Sequence, residues 1–374
     1  MNHYIGLMSG TSMDGVDAAI VSLDENKIDV VGALTLAYPG NLRRALTRAI
    51  HPENCLALHE FASLNINVGR CFARAVNQLL EKTNTSRDEV IAIGSHGQTL
   101  RHSPDTNPPY SVQIGDPATI ATQCSITTVA DFRSMDLAAG GQGAPLVPAF
   151  HEAYFRHPQE STVVINIGGI ANITGLPAAP SNAIDGFDTG PGNCLLDDWI
   201  FQELNQYYDG DGRWAASGQV SKRLLDELMA DDYILQPPPK STGREYFNLA
   251  FIHNAISKLG LTELTPVDVQ ATLAEFSVVS IVRGIEQSCA SPQRVIVCGG
   301  GVKNSMLIGR LRELLPDARV QSTATLNVDP DAIEATAFAW LAMQRLASEP
   351  VRVTTTSQPK LARVLGAIYQ PRAL

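Results

Sequence analysis

The stretch Asp185-Gly-Phe-Asp-Thr-Gly-Pro-Gly-Asn-Cys194 sets one carboxylate, Asp188, inside a glycine-rich turn leading into a helix expected to begin near Asn193. Gly190 and Gly192 let backbone N–H groups converge on phosphate oxygens, and the positive end of the helix points at the same place. An anion and an activated water can meet there. Ser9-Gly-Thr-Ser-Met-Asp-Gly-Val-Asp17 has the same logic. It lies between the apolar runs His3–Met8 and Val16–Leu23, which predicts a hairpin with Gly10, Thr11, Ser12, Met13, Asp14, Gly15, Val16 and Asp17 at or beside its tip. Two such turns predict a nucleotide held between two lobes.

The elements that must hold these residues alternate strand with helix. Strands are expected at Ile28–Ala37 and Val90–Gly94, with a long helix, Leu56–Lys82, between them. Ser95-His-Gly-Gln-Thr99 then reads as a polar loop carrying His96 at the carboxyl end of a strand, where open α/β sheets place ligand-binding groups. A helix from Pro117 and a strand at Ile126–Ala130 follow. Asp131–Pro145, with Arg133 and three glycines among residues 140–143, breaks the pattern and reads as a hinge or crossing between lobes, or else as a surface loop. Beyond it, Thr162–Ile167, Gly168-Gly169 and Ile170–Gly175 make strand, turn and strand, echoing the opening hairpin. Helices are expected at Asn193–Asn205, Ser221–Ala230 and Pro266–Cys289. The strand Arg294–Cys298 runs into Gly299, Gly300 and Gly301 before a helix at Ser305–Leu315, bringing backbone close to a flat or anionic ligand. A last helix, Asp331–Leu346, carries Glu334 near its start. The expected division is a lobe of residues 1–135 joined by 350–374, and a second lobe of residues 136–349.

Composition excludes several classes. The 374 residues suffice for roughly two to three domains, each with its own core. Hydrophobic residues at 44% and charged residues at 18% fit a compact soluble protein rather than a disordered chain. With 28 basic against 38 acidic residues the net charge is −10, and no basic run compensates locally. A nonspecific nucleic-acid or anionic-membrane binder would show a basic face. Cys55, Cys71, Cys124, Cys194, Cys289 and Cys298 form no C-x-x-C pair, which points to reduced buried thiols rather than a zinc site or a disulfide framework. No secretory signal pattern is seen and no apolar run approaches the ~18 residues that span a bilayer, so a cytoplasmic location is the default expectation.

Standard nucleotide motifs are missing. No G-x-x-x-x-G-K-[ST] occurs, and neither Gly299–Gly301 nor Gly140–Gly143 completes G-x-G-x-x-G. His151-Glu152 is no zincin motif, because Phe155 stands where the second histidine belongs. Each candidate also has an ordinary reading. Gly10–Asp17 suits a plain hairpin turn, Asp188 a helix cap, and His96 a structural histidine. Arg133 and Asp136 suit a pair across a turn, and Glu334 a helix N-terminus.

Their order is less ordinary. A hydroxyl-rich hairpin, a carboxylate among glycines at mid-chain, and a strand ending in three glycines resemble the two phosphate loops and the adenosine loop of the actin, hexokinase and Hsp70 superfamily. MSGTSMDGVD, SHGQT, ADFRSMDLAAGGQGAPLVP, INIGGIANIT, FDTGPGN and CGGGVKN, in that order over essentially the whole chain, resemble the anhydro-N-acetylmuramic acid kinase family. The resemblance implies an α/β, two-lobed actin-like ATPase (ribonuclease H-like) fold with a duplicated mixed sheet and a ligand cleft between lobes. It implies a peptidoglycan-recycling kinase that uses ATP, Mg2+ and water to convert 1,6-anhydro-N-acetylmuramic acid into N-acetylmuramic acid 6-phosphate. By resemblance Asp188 is the general base for the attacking water. Gly10 to Asp17, with Gly190, Gly192 and Asn193, would hold phosphates, and Gly299 to Gly301 would sit beside adenosine. Mg2+ would be bound through phosphates and waters, with no dedicated protein ligand and Asp14 as an outer-shell partner. His96, Arg133 and Glu334 would orient the sugar, Arg133 offering a planar fork to its lactyl carboxylate. Neither nucleic acid nor membrane is an expected partner; oligomeric state is open, a homodimer among the options. Two rivals remain, another sugar or acyl kinase of the superfamily and an actin- or Hsp70-like ATPase acting on a protein.

Overall fold

The computed structural model describes residues 3–10, 13–24, 27–51, 54–178, 184–261, 263–289, 291–353 and 362–371. Its strands are β1 (His3–Ser9), β2 (Gly15–Asp24), β3 (Lys27–Ala37), β4 (Val90–Ser103), β5 (Tyr110–Ile114), β6 (Thr128–Ala130), β7 (Thr162–Ile167), β8 (Ile170–Leu176), β9 (Asp185–Pro191), β10 (Arg294–Cys298), β11 (Arg319–Ser322) and β12 (Ala367–Tyr369). They form two sheets, β12-β6-β4-β1-β2-β3 with β5 on β4, and β11-β10-β7-β8-β9.

The sheets share one plan. In the first, β1, β2 and β3 are joined as antiparallel neighbours, and β4 and β6 then run parallel to β1 on its other side. In the second, β7, β8 and β9 are antiparallel, and β10 and β11 lie parallel beside β7. A parallel return needs a long crossover, and a helix supplies it each time, Leu58–Thr83 before β4 and Pro266–Ser288 before β10. The order third, second, first, fourth, fifth therefore occurs twice, which is the duplicated mixed sheet of the actin-like ATPase fold.

Contacts divide the chain into Met1–Tyr154 with Asn327–Leu374, and Phe155–Leu326. This differs from the expected boundaries. The helix Ile333–Ala347, expected in the second lobe, packs on the first sheet because Gly6 and Gly94 are cross-strand partners and their missing side chains admit it. A Cβ on Gly6 would fall on the Ala335 carbonyl, and one on Gly94 on the Phe338 carbonyl. The helix answers with Ala335, Ala339 and Ala342, all buried. Residues 140–143 are not the crossing either, since they lie inside the first unit.

Two further segments depart from expectation. Ser95–Thr99 is strand rather than loop, because β4 runs past β6, stays parallel to β1 as far as Gln98 and pairs antiparallel with β5 from Gln98 onward. Gly97, at φ +79°, makes the hand-over between partners. Residues 185–191 are strand β9, not a turn. The second unit's core gathers Phe247 and Val297 with Phe276 and Ile281 of the helix Pro266–Ser288, each buried side chain worth roughly 1.5–3 kcal/mol.

Candidate active site

Asp188 stands on β9, the outermost strand of its sheet, beside a β-bulge. Ala171 pairs with Gly190 and Asn172 with Asp188, leaving Thr189 as the extra residue. Such a bulge re-aims neighbouring side chains and is common next to active sites. The free edge of β9 is met by residues 240–242. The Asp188 N–H donates to the Lys240 carbonyl at 3.2 Å, and the Thr242 N–H donates to Asp188 Oδ2 at 3.0 Å. Tyr233 Oη donates to the Asp188 carbonyl at 2.7 Å. Oδ1 receives no hydrogen bond among the described residues. Asp188 is thus no helix cap: one oxygen is held and the other left open. Burial pushes its carboxyl up to about 6, the Thr242 N–H opposing and Glu245 adding.

The amides expected to cradle phosphate after Asp188 are already committed. Gly192 N–H and Cys194 N–H donate to the Gly169 carbonyl, Asn193 N–H to that of Gly168, and Asn193 Nδ2 to those of Ile167 and Gly168. Gly192 is needed for this closeness, since a Cβ there would strike the Gly168 carbonyl, and Gly190, at φ +154°, adopts backbone that favours glycine. What these bonds hold in place is the β7–β8 turn. Gly168 and Gly169 give their own N–H groups to no backbone acceptor among the described residues. Arg244 lies over this turn, its Nε 3.2 Å from where a Gly169 Cβ would be, and its Nη2 is 4.0 Å from Asp197. Sequence reasoning missed the turn's amides and Arg244; the echo of the opening hairpin was the signal for them. The glycines at 299–301 match expectation, with β10 ending at Cys298, Gly299 at φ +81° and a helix at Ser305–Leu314 capped by Asn304.

In the first unit the opening hairpin is built as expected, with Thr11 and Ser12 outside the described residues. Its base is tied down. Ser9 Oγ lies 2.7 Å from both the Gly15 carbonyl and Gln98 Oε1, Gln98 Nε2 donates to the Gly10 carbonyl, and Met13 N–H closes onto the same carbonyl. Gln98, missed as a site residue, therefore links the SHGQT motif to the hairpin. Met13, at φ +52°, is buried, as is Val16, so both serve packing. Gly15 allows close approach of the Leu36 backbone. Asp14 is exposed and paired with Arg43 at 2.7 Å. Asp17 accepts from Thr35 Oγ1 at 2.6 Å, and its carboxyl is raised first by burial and then by Asp331 and Asp14.

His96, Arg133 and Glu334 do gather, on three elements of one unit. Arg133 Nη2 lies 2.7 Å from His96 Nε2 with Nε at 3.3 Å, and Nη1 donates to the Gly143 carbonyl at 2.7 Å. A guanidinium donates only, so Nε2 accepts and the imidazole is neutral. Burial first, then Arg133, holds His96 well below the usual imidazole range. Burial brings Arg133 down to about 10, with Glu334 opposing. Glu334 is raised by burial and by Asp17, against the pull of Arg133. Its helix also carries Phe338, whose ring centroid is 4.7 Å from that of His96. Arg133 does not pair with Asp136. Asp136 Oδ2 instead accepts the Gly143 N–H at 2.8 Å, so the glycine run is a local wrap that holds Arg133 by the Gly143 carbonyl. The fork edge expected for a carboxylate is turned to His96.

Among the described residues no cluster of three or more His, Cys, Asp or Glu could cage a metal. No helix among them is long and apolar enough to cross a membrane. A family model described as anhydro-N-acetylmuramic acid kinase matches residues 2–371. The chain belongs to this family. Anhydro-N-acetylmuramic acid kinases of Coxiella burnetii (strain RSA 493 / Nine Mile phase I) and Xanthomonas campestris pv. campestris (strain 8004) are each 45% identical to it, over 366 and 369 residues, covering 98% of this chain and 97% of theirs. A solved ROK family glucokinase from Streptomyces griseus covers 92% of this chain at 11% identity with a TM-score of 0.41. At that score the fold rests on the strand order of the two sheets. As an anhydro-N-acetylmuramic acid kinase, the protein uses ATP and water to open the 1,6-anhydro bond at the anomeric carbon. The released 6-oxygen takes the phosphoryl group, giving N-acetylmuramic acid 6-phosphate and ADP in peptidoglycan recycling.

Proposed function

We propose that Asp188 is the general base of this kinase reaction. Its Oδ1 takes the proton of the water that attacks the anomeric carbon, while Oδ2 stays on the Thr242 N–H. The observation that carries this reading is a carboxylate with one oxygen fixed and one open, its acidity tuned to about 6 by burial. It is ionised at neutral pH and basic enough to accept a proton. Leaving 6-oxygen charge is quenched by phosphorylation, so no separate strong acid is required.

The other assignments belong to the same reading. The hairpin Gly10 to Asp17 receives the β- and γ-phosphates, and Gly299 to Gly301 flank adenosine. Gly168, Gly169 and Arg244 supply anion donors that Gly192 and Asn193, spent on the turn, do not. Bound Mg2+ would offset charge on the transferring phosphoryl group, with Asp14 or Asp17 reaching it through water. Neutral His96, cationic Arg133 and Glu334 orient sugar hydroxyls and the N-acetyl or lactyl group. A cytoplasmic setting, where ATP is at hand, fits this reading.

Two measurements test it. Asp188 must be ionised to act, so kcat/KM for the anhydro-sugar should be level above pH ~7 and fall about tenfold per unit below pH ~6. A flat profile down to pH 5 with folded protein would remove Asp188 as the base. Excess EDTA should abolish turnover and Mg2+ restore it, because charge on the phosphoryl group must be offset; full turnover in EDTA refutes the metal assignment.

A further inference from the structure

Lys240 is buried, at 8% exposure, and has no carboxylate partner among the described residues. An uncompensated buried ammonium is costly, and burial lowers its basicity. Its Nζ donates instead to the carbonyls of Tyr233 and Ile234, at 3.1 and 3.3 Å, and lies 4.9 Å from the centroid of the Tyr233 ring. Those carbonyls belong to the short helix Asp232–Leu235, which Asp231 caps by accepting the Tyr233 N–H. Tyr233 is further wedged edge-on against Phe247, ring centroids 5.7 Å apart.

Three bonds from this neighbourhood end on Asp188. The Lys240 carbonyl accepts the Asp188 N–H, the Tyr233 hydroxyl caps the Asp188 carbonyl, and the Thr242 N–H two residues along the strap holds Oδ2. Among the described residues β9 is an edge strand, and no sixth strand does this holding. We propose that Lys240 and Tyr233 are positioning residues for the reaction. Lys240 pins residues 240–242 to the helix Asp232–Leu235, and the pinned strap and the Tyr233 hydroxyl together fix which carboxylate oxygen of Asp188 faces the water. This rests on Asp188 being the base. Loosening the strap misplaces a reacting group without removing it, and small misplacements cost up to about 100-fold in rate.

The test uses the full-length enzyme with ATP and the anhydro-sugar. Tyr233→Phe keeps the ring and its packing, and Lys240→Met keeps the apolar stem. Each should lower kcat by roughly tenfold or more while the KM for ATP stays within about twofold. In Lys240→Met the acid limb of kcat/KM should also move to higher pH, because the Thr242 N–H that favours the ionised carboxylate is loosened. Placed in an Asp188→Asn background, neither substitution should reduce the residual rate further, since both act through the same carboxylate. Tyr233→Phe guards against a Lys240→Met protein that fails to fold, and melting temperatures identify that case. Normal kcat in Tyr233→Phe, or a full multiplicative loss on top of Asp188→Asn, overturns the proposal while Asp188 stands as the base. Near-normal turnover in Asp188→Asn alone overturns the base assignment itself.

Discussion

Asp188→Asn should lower formation of N-acetylmuramic acid 6-phosphate by roughly 100-fold or more, the scale of a lost general base. The amide matches the carboxylate in size, and its side-chain oxygen can still accept the Thr242 N–H, so β9 and the strap keep their arrangement. What disappears is the capacity of Oδ1 to take a proton from water. Ring opening and phosphorylation should fall together, because the 6-oxygen is tied up in the anhydro bond until water attacks the anomeric carbon. Nucleotide binding should survive, measured as an unchanged ATP dissociation constant. Product mass and ADP release followed in one reaction check the coupling. If ADP and inorganic phosphate appear at the normal rate without sugar phosphate, water is taking the phosphoryl group, its transfer is not tied to ring opening, and the assignment loses its main support.

A large loss of stability is expected at Gly94. A Cβ there would lie on the Phe338 carbonyl and press on Ala342, with backbone on the far side that cannot swing away. Gly94→Ala should therefore cost about 3 kcal/mol, the upper end of overpacking penalties, or more. It should also push the helix Ile333–Ala347 off β1 and β4, carrying Glu334 and Phe338 away from His96. Gly309→Ala supplies the contrast. Gly309 lies inside the helix Ser305–Leu314 with nothing within 4 Å of a Cβ, so alanine should stabilise by about 0.5–1 kcal/mol. Urea unfolding of the two variants gives both signs at once. Equal stability of Gly94→Ala and the parent would mean that the helix is not seated through this glycine pair.

Much of the fold could be read from pattern alone, because strand and helix periodicities are local. The expected helix Pro266–Cys289 ends one residue later than the observed Pro266–Ser288, and the hairpin β7–β8 and the β10–glycine–helix unit also match. The family motifs are local too, which is why the kinase was recognisable from residue types and order. Asp188 itself was legible, but its setting was not. Asp-Thr-Gly-Pro-Gly has the composition of a turn, and only pairing with β8 and contact with residue 240 make it an edge strand with a bulge. The supply of free amides was likewise decided in three dimensions, since Gly192 and Asn193 spend theirs on carbonyls some two dozen residues earlier in the chain. Arg133 and His96, 37 positions apart, meet because β4 runs past β6 and residues 140–143 curl back on Asp136. Glu334 joins them because glycines on two neighbouring strands clear a path for its helix. Sequence by itself determined most of the elements and the kinase family; tertiary structure decided which donors remain open and which unit each side chain serves. The reason is physical: periodicity and residue type act over a few positions, whereas hydrogen-bond saturation and close packing are settled between segments far apart in the chain.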